Sequence, residues 1–155
     1  MRVPTLAFAA AIAAWVPAWA DSSTMDLLTG SDAVKWGPGP SGLPKGAMIA
    51  VISGDPSKDG PSVVRLKLPP NYQIPAHHHS KIENITVLSG SFHAGMGDKL
   101  DAKKGEELLP GAFMTLPPDM NHYAWTSAET VIQVHGPGPV DIIYVNPADD
   151  PRRVP

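Results

Sequence analysis

The sequence predicts an all-β protein, a sandwich or barrel of many short antiparallel strands. Three observations predict it. Downstream of the first twenty residues no stretch sustains helical periodicity. Short apolar runs instead alternate with breakers, and the 155-residue chain holds 14 glycines and 18 prolines. There is no cysteine, so neither a disulfide framework nor thiolate ligands support the fold, and a packed core must hold it.

The elements follow in order. Arg2, the apolar run Leu6 to Val16 and Ala18-Trp19-Ala20 resemble an export signal, with cleavage expected after Ala20. The run is bracketed by Pro4 and Pro17 and is short for a membrane span. The expected location is periplasmic or secreted, with no membrane partner after cleavage. Without Arg2 the chain keeps 11 basic residues against 15 acidic ones, which argues against a nucleic-acid partner. Roughly 135 residues suffice for one core.

Residues 21–45 read as an N-terminal arm, with Ala33 to Trp36 shaped for a short strand and Gly37 to Pro40 for a turn or extended linker. Ala47 to Ile52 is uniformly apolar and is expected to be a strand covered on both faces. Val63 to Leu68 alternates, placing Val64, Leu66 and Leu68 on one side and Arg65 and Lys67 on the other. After the break at Pro69-Pro70-Asn71, Tyr72 to His79 is extended. Ile85 to Leu88 is a strand ended by Ser89-Gly90, and Ser91 to Met96 returns from that turn.

Lys99 to Lys104 reads as a charged edge or loop, and Glu106 to Leu109 as a short strand before Pro110-Gly111. Phe113 to Leu116 is a strand, and Pro117-Pro118-Asp119 turns the chain toward His122 and the extended run Tyr123 to Thr126. Thr130 to His135 and Val140 to Val145 are two further strands, split by Gly-Pro-Gly-Pro at 136–139. That makes roughly ten strands, with boundaries good to a few residues. The expected barrel spans 46–146, followed by a polar tail at 147–155. Val64, Leu66, Ile85, Val87, Phe113, Thr115 and Ile142 read as structural positions.

The chemistry concentrates at His77-His78-His79 and Glu83. On an extended backbone His77 and His79 share a face and His78 points away. Glu83 joins that face either by even spacing or through a tight turn at 80–82. Two imidazoles and a carboxylate converging on one point would hold a divalent transition metal. The plainer alternative is a surface histidine tract that picks up metal adventitiously.

Two spacings decide between them. The first is His77, one residue, His79, three residues, Glu83, six residues, Gly90. The second is Gly111, five residues, Pro117, one residue, Asp119, two residues, His122. Together they resemble the two signature motifs of the cupin superfamily, in its small single-domain (monocupin) form. The chain departs from the pattern at Asn71 and Asp119, where the family usually has glycine, and at Thr126, where asparagine is common. Asn and Asp tolerate the left-handed conformation that such glycines adopt.

The resemblance implies a double-stranded β-helix, or jelly-roll cupin barrel. It also implies four ligands for one divalent metal, carried over to His77, His79, Glu83 and His122. Imidazole and carboxylate donors suit Fe, Mn, Ni, Co or Zn alike. The implied function is metal-assisted chemistry on a small molecule, of dioxygenase, isomerase or lyase type. The alternative is a non-catalytic metal or small-ligand binding domain, as in sensory cupins of anti-sigma factors. A homodimer is expected, because many strands have edges to cover.

Three residues are candidates for work beside the metal. Gln133 and His135 alternate with Ile132 and Val134, so they share one strand face. If that face lines the cavity, Gln133 would orient a substrate and His135 would move a proton. If it faces water, neither has a role. His93 reads as a surface strand histidine and is the third candidate. Tyr123 and Trp125 are expected to pack beneath a neighbouring strand.

Overall fold

A computed structural model describes residues 30–153. The expected export signal and the first part of the arm lie outside the described residues. The rest is two antiparallel sheets laid face to face. One has six strands: β1 (Gly37–Pro38), β2 (Met48–Ser53), β3 (Gly60–Leu68), β10 (Thr130–Gly138), β5 (Glu83–Ser89) and β8 (Phe113–Leu116), in that spatial order. The other has five: β11 (Ile143–Tyr144), β4 (Gln73–His78), β9 (His122–Thr126), β6 (Phe92–Met96) and β7 (Glu106–Leu108). Among the described residues the only helical pieces are 3-10 turns, at Ser31–Ala33, Pro147–Asp149 and Pro151–Arg153.

Alternation places the core. Val64, Leu66 and Leu68 turn inward from β3, Ile85 and Val87 from β5, and Ile132 and Val134 from β10. Phe92 and Ala94 meet them from the five-stranded sheet. Leu68 and its cross-strand partner Thr130 are both 0 % exposed, which marks that end of the barrel as closed. Hydroxyls satisfy the backbone there. Thr126 accepts from the Tyr72 N–H at 3.0 Å, and Thr130 accepts from the Ser91 N–H at 3.1 Å. Thr126 thus bonds the turn residues at the place where the family often has asparagine.

Both departures from the family's glycines adopt the left-handed conformation, Asn71 at φ 60° and Asp119 at φ 61°. Gly90 stands at φ 84°, and a Cβ there would lie 2.2 Å from the Glu129 carbonyl oxygen, so the turn between β5 and β6 requires glycine.

Several expectations fail, each for a definable reason. Ala33 to Trp36 is not a strand: Ser31–Ala33 is a 3-10 turn, and the pairing piece is Gly37–Pro38. β2 is not covered on both faces, since Val51 is 53 % exposed. Among the described residues its outer side carries no second layer, which apolar composition alone does not reveal. Gly-Pro-Gly-Pro at 136–139 does not end its strand, and β10 runs on to Gly138. Pro137 faces Pro61 across the ladder. Neither proline has an N–H to donate, so the pair sits at a non-hydrogen-bonded position, and β5 has already ended. Phe113 (56 % exposed) and Thr115 face outward, while Met114 and Leu116 fill the interior. Phe113 and Thr115, read as structural positions, therefore lie outside the core. In the polar tail Arg152 folds back to donate from Nη2 to the Ile142 carbonyl at 3.0 Å.

Candidate metal centre

Three histidines meet inside the barrel. His77 and His122 are direct partners across β4 and β9, with ring centroids 4.1 Å apart. His79 stands just past the end of β4. One ring nitrogen from each lies within 4.8 Å of the other two, and all three residues are buried. The register of β4 shifts between Ile74 and His77, a bulge that puts both on the inner face although they are three apart.

Glu83 arrives from the opposite sheet. The chain turns at 80–82, so the turn, and not continuous extension, carries the carboxylate across. Its Oε2 lies 3.3 Å from His79 Nε2 and 3.8 Å from His122 Nε2. The two motifs are tied directly, since the Asp119 N–H donates to the His79 carbonyl at 2.9 Å.

Each imidazole is held by its other nitrogen. Nδ1 of His77 bonds the Pro75 carbonyl at 2.7 Å and Nδ1 of His122 the Met120 carbonyl at 2.9 Å. Nδ1 of His79 bonds the Asp141 carbonyl. A carbonyl only accepts, so all three Nδ1 carry hydrogen and all three Nε2 present lone pairs. This is the outer support that metal-binding histidines use. His79 Nε2 is buried without a hydrogen-bond partner. A buried polar atom with no partner is costly. An ion at the meeting point would satisfy it, and the donor set fits a divalent transition metal.

Electrostatics agree at two of the three rings. Burial, and next the neighbouring His122, push His77 down to about 2, so it stays neutral. Burial also lowers His122. Burial pulls against protonation of His79, but the Glu83 carboxylate, 3.3 Å from Nε2, outweighs it and raises that ring above its ordinary value in the metal-free protein.

His78 points away and bonds Asn121 Oδ1 at 3.0 Å through Nδ1. The three further candidates do not reach the cavity. Ile132 and Val134 are the residues of β10 that line it. Gln133 accepts from Arg65 Nε at 3.2 Å on the outer face, and His135 stacks beside exposed Phe113. His93 lies flat on Trp125, 4.9 Å between centroids, and bonds Ser91 and Ser127. Strand parity pairs such residues correctly but does not say which face is inside; the Ile and Val of β10 do. Tyr123 is buried and donates to the Asp101 carbonyl, so it packs beneath the 97–105 loop and not beneath a strand.

Two residues absent from the sequence reading matter here. Asp141 supplies the carbonyl that holds His79, and its carboxylate accepts from the Ser80 N–H at 2.9 Å. Arg152 borders the cavity near Gly42. A backbone acceptor leaves no mark in side-chain chemistry, so no signal pointed to Asp141.

The cavity beside the histidines measures about 360 Å³. The family described as the ChrR cupin-like domain matches residues 24–141. Solved structures of the same fold include the polyketide cyclase RemF of Streptomyces resistomycificus, 21% identical over 80% of this chain and 88% of that one, with a TM-score of 0.61. A putative acetylacetone dioxygenase of Methylibium petroleiphilum is 17% identical over 80% and 83%, with a TM-score of 0.60. An RmlC-like cupin of Shewanella frigidimarina is 14% identical over 70% and 87%, with a TM-score of 0.55. No curated protein matches the chain.

Proposed function

This chain belongs to the ChrR cupin-like domain family of the cupin superfamily, and from that premise we propose that it is a mononuclear metalloenzyme acting on a small molecule. His77, His79, His122 and Glu83 would hold one divalent ion. When bound, such an ion acts as a Lewis acid on a ligand oxygen, or as the site of redox chemistry if it is iron or manganese. The chain supplies neutral, pre-oriented imidazoles, a carboxylate from the facing sheet, and apolar walls that exclude water. The observation that carries the proposal is the trio of backbone-anchored Nδ1 atoms with His79 Nε2 buried and unpartnered.

A second reading, binding without turnover, draws on a specific observation. Among the described residues that line the cavity, the acidic and basic groups beyond those four are Asp141 and Arg152, and both are engaged. A purely binding role needs no free acid or base. We also propose export, on the strength of residues 1–20.

The test is metal content per chain after gel filtration. His77→Ala, His79→Ala and His122→Ala should each lose most of the metal, and His78→Ala should keep it. Glu83→Gln should weaken retention with an unchanged circular dichroism spectrum. If His78→Ala strips metal as well as His77→Ala does, or His122→Ala retains it, the assignment is wrong.

A further inference from the structure

The cavity walls and the charge of the centre together define a class of ligand. The long walls are apolar, with Ile49, Leu66, Ile85, Met114, Ile132 and Val134 among the lining. The charged side chains of the lining are Glu83 among the histidines, Asp141 beside His79 in the link between β10 and β11, and Arg152 near Gly42. Arg152 is clamped and neutralised by Asp150 through Nε at 2.7 Å and Nη2 at 2.9 Å, whereas Asp141, bonded by the neutral Ser80 N–H, keeps a negative charge that would repel a second anionic group.

The charge balance at the centre follows from its donors. Three neutral imidazoles and one carboxylate around a dication leave one net positive charge. Apolar walls make an uncompensated charge expensive. A single negative oxygen group on the ion cancels it. A neutral ligand leaves it standing, and a second anionic group would be buried against Ile and Val with no partner.

Resting on the metal reading proposed above, we infer that the site takes a compact monoanion. Its one negative oxygen group, a carboxylate, enolate or phenolate, goes to the ion, and its remaining body is uncharged and apolar.

The test uses the full chain loaded with Co(II), with cobalt measured after gel filtration. Hexanoate, hexanol and adipate are then titrated at pH 7, read by the visible absorption of cobalt and by calorimetry. They share one chain length and differ in the anionic head and in a second charge. Hexanoate should bind at least tenfold more tightly than either of the others. Cobalt retained with a smaller ratio against either probe overturns this inference and leaves the metal reading intact. A chain that retains no cobalt overturns both. Met114→Glu, which puts a charge into the wall, should keep cobalt and weaken hexanoate at least tenfold. Should that variant fail to fold, the series on the unaltered chain still decides.

Discussion

At the scale of single residues, the site works by denying protons to the atoms that face its centre. Each Nδ1 is spent on a carbonyl, and burial keeps His77 neutral. This has a consequence for the metal-free protein. A histidine whose value drops from 6.5 to about 2 on folding adds stability that is fully present above pH 6.5 and is lost as pH falls from there toward 2. His122 has the same sign, and His79, raised by Glu83, has the opposite one. His79 acts in another window, since its contribution is fully present below pH 6.5 and is lost as pH rises above it, so the slope below 6.5 belongs to His77 and His122. Chelator-treated protein should therefore lose stability below pH 6.5 in urea titrations, and His77→Asn should flatten that slope. A profile unchanged by the substitution would contradict this account.

At the scale of elements, the turns carry what the sequence made legible. Both motif spacings led to the right strands, because ligand spacing and strand period are local properties. The same logic explains the failures. Gln133 and His135 share a face, as alternation says, but which face is inside depends on what β10 packs against. The outward side of Phe113 likewise depends on what β8 packs against. Glu83 was legible as a partner of the histidines, although its passage to the other sheet was not. Asn71 and Asp119 show that a left-handed turn was needed where glycine was missing. Asp119→Val should cost about 1–2 kcal/mol in thermal or urea unfolding, since a β-branched residue pays the full left-handed penalty. Gly90→Ala should cost more, because a Cβ there also meets the Glu129 carbonyl. Equal stability of both variants with the parent chain would show that the turns relax freely.

At the scale of the whole molecule, the proposed ion would join two sheets that no disulfide joins. Melting temperature should be indifferent to reductant and should fall on chelation. A ligand at a hundred times its dissociation constant stabilises by about 2.7 kcal/mol, a shift on the order of 10 °C for a domain of this size. Equal melting temperatures with and without chelator, in protein shown to carry metal, would count against a bridging ion. The bond from His79 Nδ1 to the Asp141 carbonyl spans 62 positions of chain. Asp141 also borders the cavity. The same short segment therefore serves as latch for an imidazole and as doorpost for whatever enters. Swinging it aside to admit a guest would loosen the grip on His79, and a guest that wedges it shut would lengthen the dwell time of the ion. Entry and metal exchange would then share one gate, and their rates should rise and fall together.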